Sequence, residues 1–121
     1  MQPMQTILIV DDNAGFRRQA RAVLEADGLS VVGEAADGAS GLTAARSLRP
    51  DLVLLDIGLP DTDGFAVAEA LADDGPPPLV ILTSSRDASE YGPRLVEGRS
   101  LGFVPKDELS GARIRELLAR R

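Results

Sequence analysis

Short apolar runs recur along the chain, separated by stretches whose apolar residues fall at helical spacing. Thr6–Val10, Ser30–Gly33, Asp51–Leu55, Leu79–Leu82 and Gly102–Val104 read as five strands. Most are dense in Val, Ile and Leu rather than alternating with polar residues, as strands covered on both faces are. A helix fits between each pair, so the pattern predicts an α/β domain with helices on both faces of a parallel sheet.

The helical stretches carry their own start and stop signals. Phe16, Ala20, Val23 and Leu24 form one stripe of a first helix, with Asp12 or Asn13 as its cap and Gly28 as its end. Leu42, Ala45 and Leu48 mark a second, entered after Asp37-Gly38 and closed by Arg49-Pro50. Phe65, Ala68 and Leu71 mark a third, which ends in Asp73-Asp74-Gly75 and the prolines Pro76 to Pro78. Leu109, Ile114, Leu117 and Leu118 supply the last, capped by Ser110, with Arg120 and Arg121 at its negative end. Between Asp87 and Arg99 the stripe is thin and Gly92-Pro93 falls within it. Proline costs about 3 kcal/mol in a helix interior, so a short or broken helix is expected there.

A chain of 121 residues suits one domain spanning 1–121, with a core large enough to need no disulfide and no second domain to carry output. The net charge of −6 would repel a phosphate backbone, which disfavours direct nucleic-acid binding. No apolar run approaches a bilayer span, and MQPMQ lacks the basic flank and apolar stretch of a secretory signal, so a cytoplasmic protein is expected. The absence of cysteine agrees. The chain also has no histidine, which excludes histidine triads, histidine metal sites and phosphohistidine chemistry of its own. Any chemistry must run on carboxylates, hydroxyls and amines.

Those groups collect at strand ends. In right-handed βαβ units the strands are parallel, and ligands bind along the edge formed by their C-terminal ends. The first strand, TILIV, runs into Asp11 and Asp12; the third, DLVLL, runs into Asp56. In the strand order 2-1-3-4-5 the first and third strands are neighbours, and the three acids share a pocket. Two unit charges about 4 Å apart repel by roughly 1 to 4 kcal/mol at effective dielectric constants of about 80 to 20, so three carboxylates call for a cation. Oxygen ligands in a small, open, hydrated site suit Mg²⁺. Helix capping explains one acid, but neither the pair nor the matching acid on another strand. The fourth strand delivers Thr83 to the same edge and the fifth delivers Lys106, the hydroxyl and ammonium that an incoming phosphoryl group would need. Pro105 lacks a ladder N–H and fits an edge strand or strand end, as the fifth strand is in this order.

Together these residues resemble the receiver domain of bacterial two-component response regulators over essentially the whole chain. The match consists of Asp11-Asp12, Asp56 with Pro60 and Gly64 after it, Thr83, and Lys106. The resemblance implies a flavodoxin-like three-layer α-β-α sandwich around a five-stranded parallel sheet of order 2-1-3-4-5. It implies that Asp56 accepts a phosphoryl group from a phosphohistidine on a histidine kinase or phosphotransfer protein. Asp12, Asp56 and the backbone carbonyl of Gly58 would bind Mg²⁺, with Asp11 helping partly through water. Lys106 would pair with Asp56 and then with the phosphoryl oxygens. Thr83 would move to bond that group, and Phe103 matches the aromatic that rotates inward with it. Gly58 and Ser85 fall where the family tunes phosphoryl lifetime, and their small side chains imply modest self-dephosphorylation.

Phe103 read alone is core or partial cover, without the hydroxyl that a tyrosine would bring. Pro105 before Lys106 and Gly92-Pro93 in the fourth helix depart from the commonest family pattern and bear on coupling to output. GFVPKDEL resembles receivers that precede helix-turn-helix output domains, so the chain reads as a stand-alone receiver or one trimmed from a longer protein. A monomer or weak homodimer is expected, with a downstream protein or missing output domain as partner. Other readings compete less well. A Mg²⁺ phosphohydrolase needs a second acid where Gly58 stands, and a flavin or nucleotide binder would not place Asp11 and Asp12 in its first loop. A docking module that is not phosphorylated is the alternative that the complete acidic set argues against.

Overall fold

The computed structural model describes residues 5–86, 90–97 and 100–120. Five parallel strands form one sheet in the order β2-β1-β3-β4-β5, as expected. They are β1 (Thr6–Val10), β2 (Ser30–Ala35), β3 (Leu52–Asp56), β4 (Leu79–Ser84) and β5 (Gly102–Pro105). β2 and β4 run further than their apolar cores suggest, because ladder bonds to a neighbour continue through Glu34 and Thr83. Thr83 and Asp56 are therefore themselves strand residues. β5, at the sheet edge, tolerates Pro105 at its last position.

The helices are α1 (Ala14–Ala26), α2 (Gly38–Leu48), α3 (Gly64–Ala72), α4 (Arg94–Glu97) and α5 (Gly111–Leu118). Asn13, rather than Asp12, caps α1, its side chain accepting from the Phe16 N–H at 3.0 Å. Asp37, Asp63 and Ser110 do the same for α2, α3 and α5. The chain leaves α1 through Gly28 at φ 87°, a conformation that glycine adopts without strain. α4 is a single short turn. Pro93 stands immediately before it, where a missing N–H is harmless, so the helix begins after the proline instead of being broken by it. The rest of the predicted interruption, 87–89 and 98–99, lies outside the described residues.

Side chains of the central strands enter one of two cores, one on each face of the sheet. Along β1, Leu8 and Val10 join a core that includes Phe65, Val67, Ala68 and Leu71 of α3, while Ile7 and Ile9 join a core with Ala20 and Leu24 of α1 and Ile114 and Leu117 of α5. Two apolar layers on opposite faces explain why β1 and β3 show no alternation of apolar and polar residues.

Candidate functional site

The C-terminal ends of β1 and β3 lie side by side, with Val10 opposite Leu55 in the register, so the acids that follow converge. Asp11 and Asp56 are buried, 1% and 4% exposed, whereas Asp12 is exposed. Each of the three offers a carboxylate oxygen, and these oxygens lie within 4.8 Å of one another. Lys106, at the start of the 3₁₀ turn Lys106–Glu108 after β5, reaches in from two strands beyond β3. Its Nζ stands 2.7 Å from Asp11 Oδ2 and 3.4 Å from Asp56 Oδ2, with the Phe16 ring centroid 4.7 Å away.

Burial, and then the neighbouring Asp11 charge, push the Asp56 carboxyl above the ordinary carboxylate range, against the Lys106 ammonium and the Gly58 N–H that donates to Oδ1 at 3.2 Å. Burial pulls the Lys106 ammonium down, but its bond to Asp11 and the charges of Asp56 and Asp11 outweigh that and leave it raised. One ammonium thus serves two buried carboxylates, and a further cation has charge to neutralise.

Thr83 pairs in register with Asp56 and is fully buried, and its Oγ1 finds no hydrogen-bond partner among the described residues. A buried hydroxyl left without a partner costs about 1–3 kcal/mol, so the site holds a donor that an additional ligand oxygen would satisfy. The backbone is tight beneath. A Cβ on Gly64 would fall 2.7 Å from the Asp56 carbonyl oxygen and 2.9 Å from Ile57 Cα, so only glycine lets α3 start against the end of β3. Around Gly58 there is open space: it is exposed, and a Cβ there would meet nothing within 4 Å. Ser85 is exposed as well.

Of the residues singled out from sequence, Asp11, Asp12, Asp56 and Lys106 come together, with Thr83 beside Asp56. Phe103 belongs instead to an aromatic cluster on the α3 face, its ring 6.2 Å from that of Tyr91, which in turn meets Phe65 edge-on at 5.9 Å. Tyr91 sits in the segment interrupted by Gly92-Pro93, where the thin apolar stripe carries no signal for it. Arg17 falls on the polar side of α1, where the sequence pattern gives it no role, yet its Nη1 donates to the Asp11 carbonyl at 2.6 Å. A cavity of about 580 Å³ opens at the opposite edge, among Arg46, Arg49, Pro77 and Leu79. It adjoins the N-terminal ends of β3 and β4 and plays no part in the acid pocket.

This combination of sheet order, strand-end acids and lysine defines a phosphoacceptor class, and comparison with known proteins agrees. Residues 7–119 match the response regulator receiver domain, and the chain belongs to that family. It is 37% identical over 102 residues to the transcription regulator BvgA of Bordetella pertussis, covering 84% of this chain and 49% of that protein. It is 42% identical over 115 residues to a protein-glutamate methylesterase/protein-glutamine glutaminase of Anaeromyxobacter dehalogenans, covering 93% of this chain and 32% of that one. Among solved structures, the signal receiver domain of NarL from Mycobacterium tuberculosis superimposes with a TM-score of 0.86 at 30% identity, over 98% of this chain and 97% of that one. The chain spans about half the length of the curated transcription regulators it matches. Its function is that of a receiver domain in two-component signalling, and no helix among the described residues is long and apolar enough to cross a membrane.

Proposed function

We propose that Asp56 is the phosphoacceptor and that Asp11, Asp12, Asp56 and the Gly58 carbonyl hold the Mg²⁺ on which the transfer depends. The observation that carries this is the triad of carboxylates within 4.8 Å, two of them buried, with Lys106 shared between those two. The donor set is all oxygen, which fits a hard divalent ion. Bound there, Mg²⁺ would neutralise charge on the transferring phosphoryl oxygens.

An Asp56 carboxylate oxygen attacks phosphorus, the P–N bond of a phosphohistidine on a kinase or phosphotransfer protein breaks, and its electron pair returns to the imidazole. Lys106 then pairs with a phosphoryl oxygen. Thr83 Oγ1, without a partner among the described residues, donates to another. Because Thr83 lies within β4, drawing its hydroxyl toward the phosphoryl group pulls that strand and alters the surface beyond it. A downstream protein or output domain reads this change. Self-dephosphorylation is modest, since exposed Gly58 and Ser85 leave room for an attacking water. The same opening lets small phosphodonors reach Asp56.

Incubation with Mg²⁺ and acetyl phosphate, followed by intact-mass measurement, is expected to add one phosphate, and Asp56→Asn to abolish the adduct. No adduct from any small donor or kinase would overturn the assignment.

A further inference from the structure

Three polar atoms of Asp11 are hydrogen-bonded and the fourth, Oδ2, is ion-paired. Its N–H donates to Ala35 O at 2.9 Å, its Oδ1 accepts from the Asn13 N–H at 2.8 Å, its Oδ2 pairs with Lys106, and its carbonyl accepts from Arg17 Nη1 at 2.6 Å. Two of these bonds bracket Asp12. The peptide before Asp12 is held through the Asp11 carbonyl by Arg17, and the peptide after it is held through the Asn13 N–H by Asp11 Oδ1. Asp12 is exposed, so the direction of its carboxylate rests on the two pinned peptide units.

Arg17 is itself aimed. Its Nε donates to Glu34 Oε1 at 3.0 Å, across the gap from α1 to β2, and Glu34 Oε2 accepts from Arg21 Nε at 2.8 Å. The bond from Arg21, reinforced by Arg17 against partial burial, holds the Glu34 carboxyl below its ordinary value and so keeps it ionised at neutral pH. Glu34 also offsets the Arg17 charge, which would otherwise oppose a cation in the adjoining acid pocket.

We infer that Arg17, aimed by Glu34, is a positioning residue for the divalent-cation site, pinning the Asp11 carbonyl so that Asp12 faces Asp11 and Asp56. The inference rests on the metal reading above and assigns a role to two residues outside the ligand set. It also makes a prediction of sign. If Arg17 acted only through charge, removing it would tighten cation binding; acting through position, its removal weakens binding, and partners that orient metal ligands are worth about 10- to 100-fold in affinity.

The experiment is calorimetric titration of the full chain with MgCl₂ at constant ionic strength. Arg17→Ala is expected to raise the Mg²⁺ Kd about tenfold, with Arg17→Lys intermediate and Glu34→Ala shifted in the same direction. Because Glu34 acts through Arg17, the double variant should bind no more weakly than Arg17→Ala, even though loss of the Arg21 pair adds to its instability. In EDTA, amide exchange at Asn13 should quicken in Arg17→Ala. At saturating Mg²⁺ the rate of phosphorylation by acetyl phosphate should return to within about twofold of wild type. Unchanged or tighter Mg²⁺ binding in Arg17→Ala or Arg17→Lys, with circular dichroism showing a folded chain, overturns the inference. Wild-type protein that binds Mg²⁺ but accepts no phosphate would instead sink the Asp56 assignment, leaving Arg17 in its positioning role. Wild-type protein that binds no Mg²⁺ overturns both.

Discussion

Tyr91 Oη meets Ser84 Oγ at 2.6 Å, one residue along β4 from the buried hydroxyl of Thr83. Ser84 also accepts from the Arg86 N–H at 3.0 Å, and its register partner on β5 is Pro105, which has no N–H. Since the Tyr91 ring lies against both Phe65 and Phe103, one side chain ties β4 to α3 and β5. The hydroxyl that Phe103 lacks is supplied by Tyr91, the ring that meets both Phe65 and Phe103.

Tyr91→Phe keeps the ring contacts and strips the hydroxyl, leaving Ser84 with the Arg86 bond. It is expected to cost about 1 kcal/mol. Tyr91→Ala loses the rings too and should cost about 3 kcal/mol. Urea unfolding of both separates hydroxyl from ring, and a neutral Tyr91→Phe would show that the Ser84 bond contributes nothing.

Asp56 carries a linkage of unusual sign for a carboxylate. Its folded-state pKa is raised, burial being the main cause, so the protonated form stabilises the metal-free protein at acid pH. That contribution is lost as pH rises through the folded pKa. Asp56→Asn should therefore stabilise the metal-free protein at pH 7, with the gap closing as pH falls through the folded and then the unfolded pKa. Chemical unfolding in EDTA across that range checks it, and a variant less stable than wild type at pH 7 would contradict the raised value.

Lys106→Met removes the ammonium between Asp11 and Asp56. Breaking a buried pair this way should destabilise the metal-free protein by about 3 kcal/mol, while Mg²⁺ binds more tightly because two carboxylates lose their competing cation. The Lys106 contribution is present through neutral pH and is lost as alkaline pH climbs through its raised folded pKa. Thermal unfolding with and without Mg²⁺ reads both effects; the Mg²⁺-induced rise in Tm should be larger than in wild type.

Gly64→Ala places a methyl 2.7 Å from the Asp56 carbonyl oxygen, where the opposing atoms are backbone and cannot swing aside. A loss of about 2 kcal/mol is expected, with weaker Mg²⁺ binding as β3 shifts. The same change at Gly58, where a Cβ meets nothing, should leave stability within about 0.5 kcal/mol of wild type. The pair, measured side by side, tests whether close approach or glycine content matters.

Much of this was legible in the linear chain. Ile7 to Val10 carried no alternation because Leu8 and Ile9 enter different cores, and that density alone implied a sheet covered on both faces. The acid pair after β1 and Asp56 after β3 needed only the strand order to become neighbours. Capping was less determinate: Asp12 and Asn13 are both good caps, and the geometry of the turn chose Asn13, leaving Asp12 exposed beside the pocket.

By itself the sequence determined which residues end strands, and hence which functional groups share one edge, because period and turn chemistry act within a few residues of the chain. Only the tertiary structure decided what reaches those groups from a distance. Arg17 crossing to the Asp11 carbonyl, Glu34 aiming Arg17 from the edge strand, and Tyr91 bonding to Ser84 each join residues from separate elements. No local pattern encodes such meetings, since they depend on how a helix packs against a sheet after both have formed.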